Sequence, residues 1–267
     1  MLDALRLLAC LACAQAAPVA SPPDALAVDV ELVLAVDISL SMDEREFALQ
    51  RAGYVEALRH PDFLKAVRAG NTGRIALAYF EWAGTVRDDA IIGWQIIDSA
   101  ESANSFADKV AARPFRSFRG TSISGALAFG AELFDRTAFR GERSVIDISG
   151  DGPNNIGPPV TTTRDAAIAK GIVVNGLPIL ISPSPTFSHL DQYYAQCVTG
   201  GPGSFVLPIH AAAEFSTAIR RKLILEVSGV QERGRVVPVD AAGPIDCLQG
   251  ERDRRFYSDP FFPELDR

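Results

Sequence analysis

The segment Asp37-Ile38-Ser39-Leu40-Ser41 follows directly on an apolar run, Val30 to Val36, broken only by Glu31. It puts one carboxylate and two hydroxyls at alternating positions where a buried strand should end. In an open α/β sheet, ligands bind outside the carboxyl ends of the strands. Oxygen donors of this kind suit Mg²⁺, Ca²⁺ or Mn²⁺ rather than zinc or copper. Taken alone, the segment also reads as a helix cap, because Asp and Ser are favoured just before a helix.

Two further segments bear on that choice. Gly120-Thr121-Ser122 precedes an apolar-periodic stretch through Ile123, Ala126, Leu127, Gly130, Ala131 and Phe134. Ser144 to Ser149 reads as a strand that runs into Gly150-Asp151-Gly152. A further hydroxyl, Thr121, and a second carboxylate, Asp151, therefore also lie at strand-to-helix junctions.

Asp37, Ser39 and Ser41, then Thr121, then Asp151 resemble in order and spacing the metal-ion-dependent adhesion site of von Willebrand factor type A domains. There, Asp-x-Ser-x-Ser follows the first strand, a Gly-Thr precedes a central helix, and an Asp-Gly follows the fourth strand. The resemblance spans roughly residues 28 to 228, and within the group the chain looks most like secreted bacterial members of unassigned function. It implies that Ser39 and Ser41 bind a metal through their hydroxyls, and Thr121 directly or through water. Asp37 and Asp151 would act through bound water and hydrogen bonds. The implied metal is Mg²⁺, with Mn²⁺ or Ca²⁺ as alternatives, and one coordination position would be left for an acidic side chain of a protein partner. The chain departs from the pattern at Gly150, where the family more often has Thr or Ser. That removes a hydroxyl behind the ligands and leaves the metal preference open.

The elements that must position these residues alternate between strand and helix. Strands are expected at 28–36, 74–82, 91–97, 145–149, 172–181 and 205–209. Helices are expected at 43–58, 62–69, 102–112, 121–134, within 158–170, and at 211–228. This order implies a doubly wound, mostly parallel six-stranded α/β sheet with helices on both faces. The strands at 74–82 and 91–97 lie close enough to pair as a hairpin, which makes the third an antiparallel edge. Residues 231–267 lose the pattern and read as an irregular tail behind a domain at 28–230.

The 267 residues, 48% hydrophobic and 22% charged, have ordinary globular composition. A net charge of −7 argues against general nucleic-acid binding. Residues 1–16 read as a signal peptide, with Ala14-Gln15-Ala16 as the cleavage site, a mature start near Ala17 and a linker to residue 27. Export to the periplasm or beyond follows, and no segment is apolar over enough length to span a membrane. Cys10 and Cys13 leave with the signal. Cys197 and Cys247 remain as an even pair in an exported chain, read as a disulfide in preference to two free thiols.

Other polar residues carry plainer readings. Asp147, inside an apolar strand, is expected to be structural, buried against an Arg or turned to the sheet edge. Glu81 ends the second strand as a buttressing acid or, less simply, an outer carboxylate of the metal face. Asn154 and Asn155 read first as turn residues. His60, His189 and His210 stand in no metal-ligand or Ser-His-Asp spacing. The function that follows is a metal-dependent protein-binding module and not an enzyme. The alternative is a Mg²⁺-dependent phosphatase of the haloacid dehalogenase type, with Asp37 as nucleophile. That chemistry wants an Asp where Ser39 stands and a Lys shortly before Asp151, yet no Lys occurs between Lys109 and Lys170.

Overall fold

A computed structural model describes residues 25–182, 187–229 and 244–257. The expected signal peptide and most of the linker lie outside the described residues, as do 231–243 and 258–267 of the expected tail. Among the described residues, no helix is long and apolar enough to cross a membrane.

The chain forms β1 (Leu26–Asp37), α1 (Glu44–Arg59), α2 (Pro61–Arg68), β2 (Ile75–Trp82), β3 (Val86–Ile97) and α3 (Ala100–Ala111). There follow α4 (Ile123–Asp135), β4 (Phe139–Gly150), α5 (Val160–Ala169) and β5 (Ile172–Pro178). A short α6 (Leu190–Tyr193) runs into a π-helical turn, Tyr194–Val198, and α7 (Phe215–Ser228) and α8 (Gln249–Tyr257) complete the set. The sheet order is β3-β2-β1-β4-β5. All pairs are parallel except β2 with β3, the antiparallel edge expected from the sequence.

β1 is buried on both faces, which is why its sequence reads as a continuous apolar run. Val30, Leu32, Leu34 and Val36 point into a core shared with α1, α2, α3 and α7. Val33 and Ala35 point into the opposite core, under α4, α5 and α6. Parallel pairing aligns Asp37 with Trp82 at the end of β2, and Val36 with Ser149 at the end of β4. The carboxyl ends of the three central strands thus share one edge.

The sheet has five strands, not the expected six. Residues 205–209 do run beside β5, with Leu207 N donating to Gly176 O at 3.0 Å and Ile209 N to Pro178 O at 3.0 Å. They form only isolated bridges. Pro178 and Pro208 have no N–H, so a continuous ladder cannot propagate there. The expected irregular tail also differs, since residues 249–257 form α8. Its run of charged residues carries no apolar period, so this helix leaves no signal in the sequence.

Cys197 and Cys247 are joined by a disulfide, as the even count suggested, across a separation of 50 residues. Asp147 is wholly buried, but its partner is a lysine rather than an arginine: Lys222 Nζ of α7 lies 2.8 Å from Asp147 Oδ1 and 2.6 Å from Glu226 Oε1. Burial and the charge of Asp147 push Glu226 up to about 8, so near neutral pH it keeps its proton and the triad is close to electroneutral.

Lys222→Met strands two buried carboxyls without a counter-charge. It should destabilise the protein by roughly 3–5 kcal/mol, measured by urea unfolding, while D147L/K222M/E226M recovers most of the loss. Cys247→Ser should lower stability by roughly 4 kcal/mol in the chain-entropy account of a 50-residue loop. Equal unfolding midpoints for oxidised and reduced protein would contradict that.

Candidate metal site

β1 delivers Asp37 to the sheet edge fully buried. Its carbonyl accepts from Gln50 Nε2 of α1 at 3.0 Å, and its Oδ1 accepts from Ser39 N at 2.7 Å. The chain then turns over the edge. Leu40 N donates to Phe118 O at 2.9 Å, and Phe118 N to Ile38 O at 3.2 Å, so the first loop is stitched to the α3–α4 loop. Asp43 caps α1 in a reciprocal capping box with Glu46. The cap reading of this region therefore holds for Asp43, just beyond the Asp37–Ser41 segment.

Ser39 Oγ lies 2.8 Å from Ser41 Oγ, and Ser41 Oγ donates to Asp151 Oδ1 at 2.6 Å. Four of the five expected residues thus form one hydrogen-bonded chain. Among the described residues, Thr121 is not bonded to that chain and is held instead by the loop after Asp151. Its N donates to Asn155 Oδ1 at 2.9 Å, and its carbonyl accepts from Asn155 N at 2.8 Å. This clasps the start of α4 to the loop that follows Asp151. Gly120 makes the approach feasible: its φ is +85°, and a Cβ there would overlap Ile156 Cδ1.

Two carboxylates in so dry a place resist ionisation. Burial, and then the charge of Asp151, hold Asp37 well above the usual carboxylate range despite two hydrogen bonds from Ser39. Burial raises Asp151 to about 6; the Ser41 hydroxyl opposes this, while Glu46 and Asp43 add to it. Asp37 Oδ2 is buried and has no hydrogen-bond partner among the described residues. An unpartnered buried carboxylate oxygen is costly unless something cationic or donating meets it.

The donor set fits a hard divalent cation. Neighbouring ligands of an octahedral Mg²⁺, each about 2.1 Å from the metal, lie about 3 Å apart. The Ser39–Ser41 separation of 2.8 Å matches such an edge. Among the described residues, no group of three or more His, Cys, Asp or Glu side chains could hold a metal. The five side chains at this edge offer three hydroxyls and two carboxylates.

The other residues read from the sequence fall into place around this edge. Glu81 is bound by two arginines, Arg51 at 2.8 Å and Arg113 at 3.0 Å. Asn154 does more than turn the chain. It is wholly buried, accepts from Ser124 N at 2.9 Å and donates through Nδ2 to Glu251 Oε1 at 2.8 Å. Gln50 and Tyr194, both buried beside Asp37, belong to no motif that the sequence displays. Gln50 leaves a faint sign there, a polar residue on the helix face that carries Phe47 and Tyr54. Tyr194, far downstream, leaves none.

Comparison with curated protein sequences gives no match. Solved structures with similar folds include proximal thread matrix protein 1 of the mussel byssus, at 14% identity and TM-score 0.55, covering 76% of this chain and 48% of that one. One structure of that protein is described as having a zinc-occupied MIDAS motif. A von Willebrand factor type A protein from Catenulispora acidiphila matches at 14% identity and TM-score 0.52, over 75% of this chain and 43% of that one. The pilus adhesin SpaC of Lactobacillus rhamnosus GG matches at 13% identity and TM-score 0.55, over 76% and 31%. The chain spans about half or less of the length of these structures, and at such identities the likeness is one of fold. A family model described as "Protein of unknown function (DUF1194)" matches residues 27–231, so the chain belongs to the DUF1194 family and has a von Willebrand factor type A-like fold.

Proposed function

We propose that this protein is a divalent-metal-dependent binding module that captures an acidic side chain of a protein partner. Asp37, Ser39, Ser41, Thr121 and Asp151 would surround the cation, with Mg²⁺ the natural ion for an all-oxygen set. The observation that carries the reading is the chain Ser39–Ser41–Asp151 beside the unpartnered, buried Asp37 Oδ2. The cation would supply the positive charge that both carboxylates lack. Neutral hydroxyls in contact with it would leave that charge largely undiminished and attractive to a partner's Asp or Glu. Metal and partner should then bind with positive coupling. The matrix protein with its zinc-occupied motif and the pilus adhesin lend support at the level of fold.

The surroundings suit a protein partner. Leu40 and Phe115, on the two loops that frame the edge, are 57% and 51% exposed, more than any other large apolar side chain among the described residues. Nearby, Arg87 and Arg116 share the single carboxylate of Asp89. An acidic segment with an apolar neighbour would complement this face. The phosphatase alternative is disfavoured because Asp37 is wholly buried and no substrate could reach it as a nucleophile. A signal-like amino terminus supports export to the periplasm or beyond.

Mg²⁺ or Mn²⁺ should raise the melting temperature of the wild type by roughly 5–10 °C at a hundredfold excess over Kd. Ser39→Ala and Thr121→Ala should lose most of that shift while keeping native circular dichroism, and Asp37→Ala should lose all of it. A wild type that responds to neither ion, nor to either with a carboxylate ligand added, would end the metal reading.

The pH dependence has a definite sign. Asp37 and Asp151 hold their protons more tightly in the folded apoprotein than in the unfolded chain. The contribution of Asp151 therefore declines as pH rises from about 4 through about 6, and that of Asp37 declines in the same direction with rising pH. A cation binds the ionised forms, so its stabilising effect should grow over the same interval. Melting curves at pH 5, 6 and 7 should show the metal-induced shift increasing with pH; a shift that shrinks contradicts the assignment.

A further inference from the structure

Behind the site, away from solvent, Gly150 ends β4 without a side chain. A Cβ placed there would stand 2.7 Å from Asp37 Oδ2 and 2.8 Å from the Tyr194 hydroxyl. The two oxygens therefore lie no more than about 5.5 Å apart, on either side of the space a Cβ at position 150 would fill, a separation that one bridging water can span. Both are buried, and neither has a hydrogen-bond partner among the described residues. Asp37 Oδ1 already accepts from Ser39 N, so Oδ2 is the oxygen left to be held.

We propose that Tyr194 is a positioning residue of the metal site, whose phenol occupies the space a side chain at position 150 would take and fixes the inner oxygen of Asp37. The inference rests on the metal reading above and adds to it a residue more than 40 positions from Asp151 in sequence. Burial, and then the charges of Asp37 and Asp151, keep Tyr194 protonated at any ordinary pH, so its hydroxyl is available as a donor. Its position is rigidly built. Tyr194 O accepts from Thr199 N at 2.8 Å in the π-helical turn, and such turns recur at functional sites. The neighbouring Tyr193 hydroxyl accepts from Asn154 N at 3.1 Å, in the loop that follows Asp151. Two consecutive tyrosines thus reach both halves of the site, one to each carboxylate's strand end. Cys197, in the same turn, is bonded to Cys247, and α8 beyond it returns to Asn154 through Glu251.

A side chain at 150 and the Tyr194 hydroxyl exclude one another sterically, and that exclusion supplies the test. Tyr194→Phe deletes only an oxygen and should keep native circular dichroism. Its Mn²⁺ affinity, measured by titration calorimetry and by the electron paramagnetic resonance of free Mn²⁺, should fall about 10- to 100-fold. Gly150→Ser alone should also weaken binding, because the new atoms crowd Asp37 Oδ2 and the phenol. Together, Y194F/G150S should regain most of the affinity lost in Y194F, since the serine hydroxyl then fills the vacated space. A purely structural tyrosine would not be rescued in this way. If the wild type binds Mn²⁺ and Y194F binds it equally well, the inference is wrong and the metal reading stands. A double variant that binds Mn²⁺ no better than Y194F overturns the inference equally. If the wild type binds neither Mn²⁺ nor Mg²⁺, both readings fall.

Discussion

A carboxylate kept dry at the end of the central strand is the constraint around which this protein is arranged. Asp37 has no access to water, and a low-dielectric site penalises its charge heavily. Every group within reach answers that problem in part. Ser39 N donates to one carboxylate oxygen and the Tyr194 hydroxyl approaches the other, while Gln50 holds the backbone carbonyl of the same residue. None of these is a full charge. The nearest charged side chain, Asp151, makes the problem worse, and Glu46 and Asp43 extend the acidic rim. The edge therefore concentrates negative groups around a carboxylate that burial already penalises.

Holding such an edge together requires strong fastening elsewhere. Arg51 and Arg113 converge on Glu81, and Arg51 also donates to the carbonyls of Arg113 and Pro114 at 2.6 and 3.1 Å. These bonds fix the loop that carries Phe118 against the first turn and leads into Thr121. On the same face of the sheet, the Asp147–Lys222–Glu226 cluster ties α7 to β4. Its charges nearly cancel, so it anchors a helix at small net charge. The two sets of ionic groups do different work on one face of the sheet, one fastening a loop and the other a helix.

The architecture was largely legible in the sequence because parallel strands buried on both faces leave long apolar runs and their helices leave periodic ones. Asp37, Ser39, Ser41, Thr121 and Asp151 were singled out because a short motif fixes type and spacing at once, and the fold joins four of them by hydrogen bonds. What escaped reading depended on contacts with no local sign. Pro178 announced a broken strand, yet the failure of 205–209 to become a sixth strand also needed Pro208 on the facing segment. The π-helical turn and α8 are held by a disulfide and by single side-chain bonds, which impose no hydrophobic period. Tyr194 looks in sequence like any aromatic; only the empty space at Gly150 gives its hydroxyl a meaning.

The Cys197–Cys247 bond carries a topological consequence. It turns the stretch between those residues into a covalent ring that includes α7, with α8 attached just beyond the closure. A single backbone cut anywhere inside that ring leaves the two pieces joined. The nicked molecule would still present Tyr194 from one side of the bond and Glu251 from the other. A protease could open this chain once without separating the sheet edge at Asp37 from the parts that brace it.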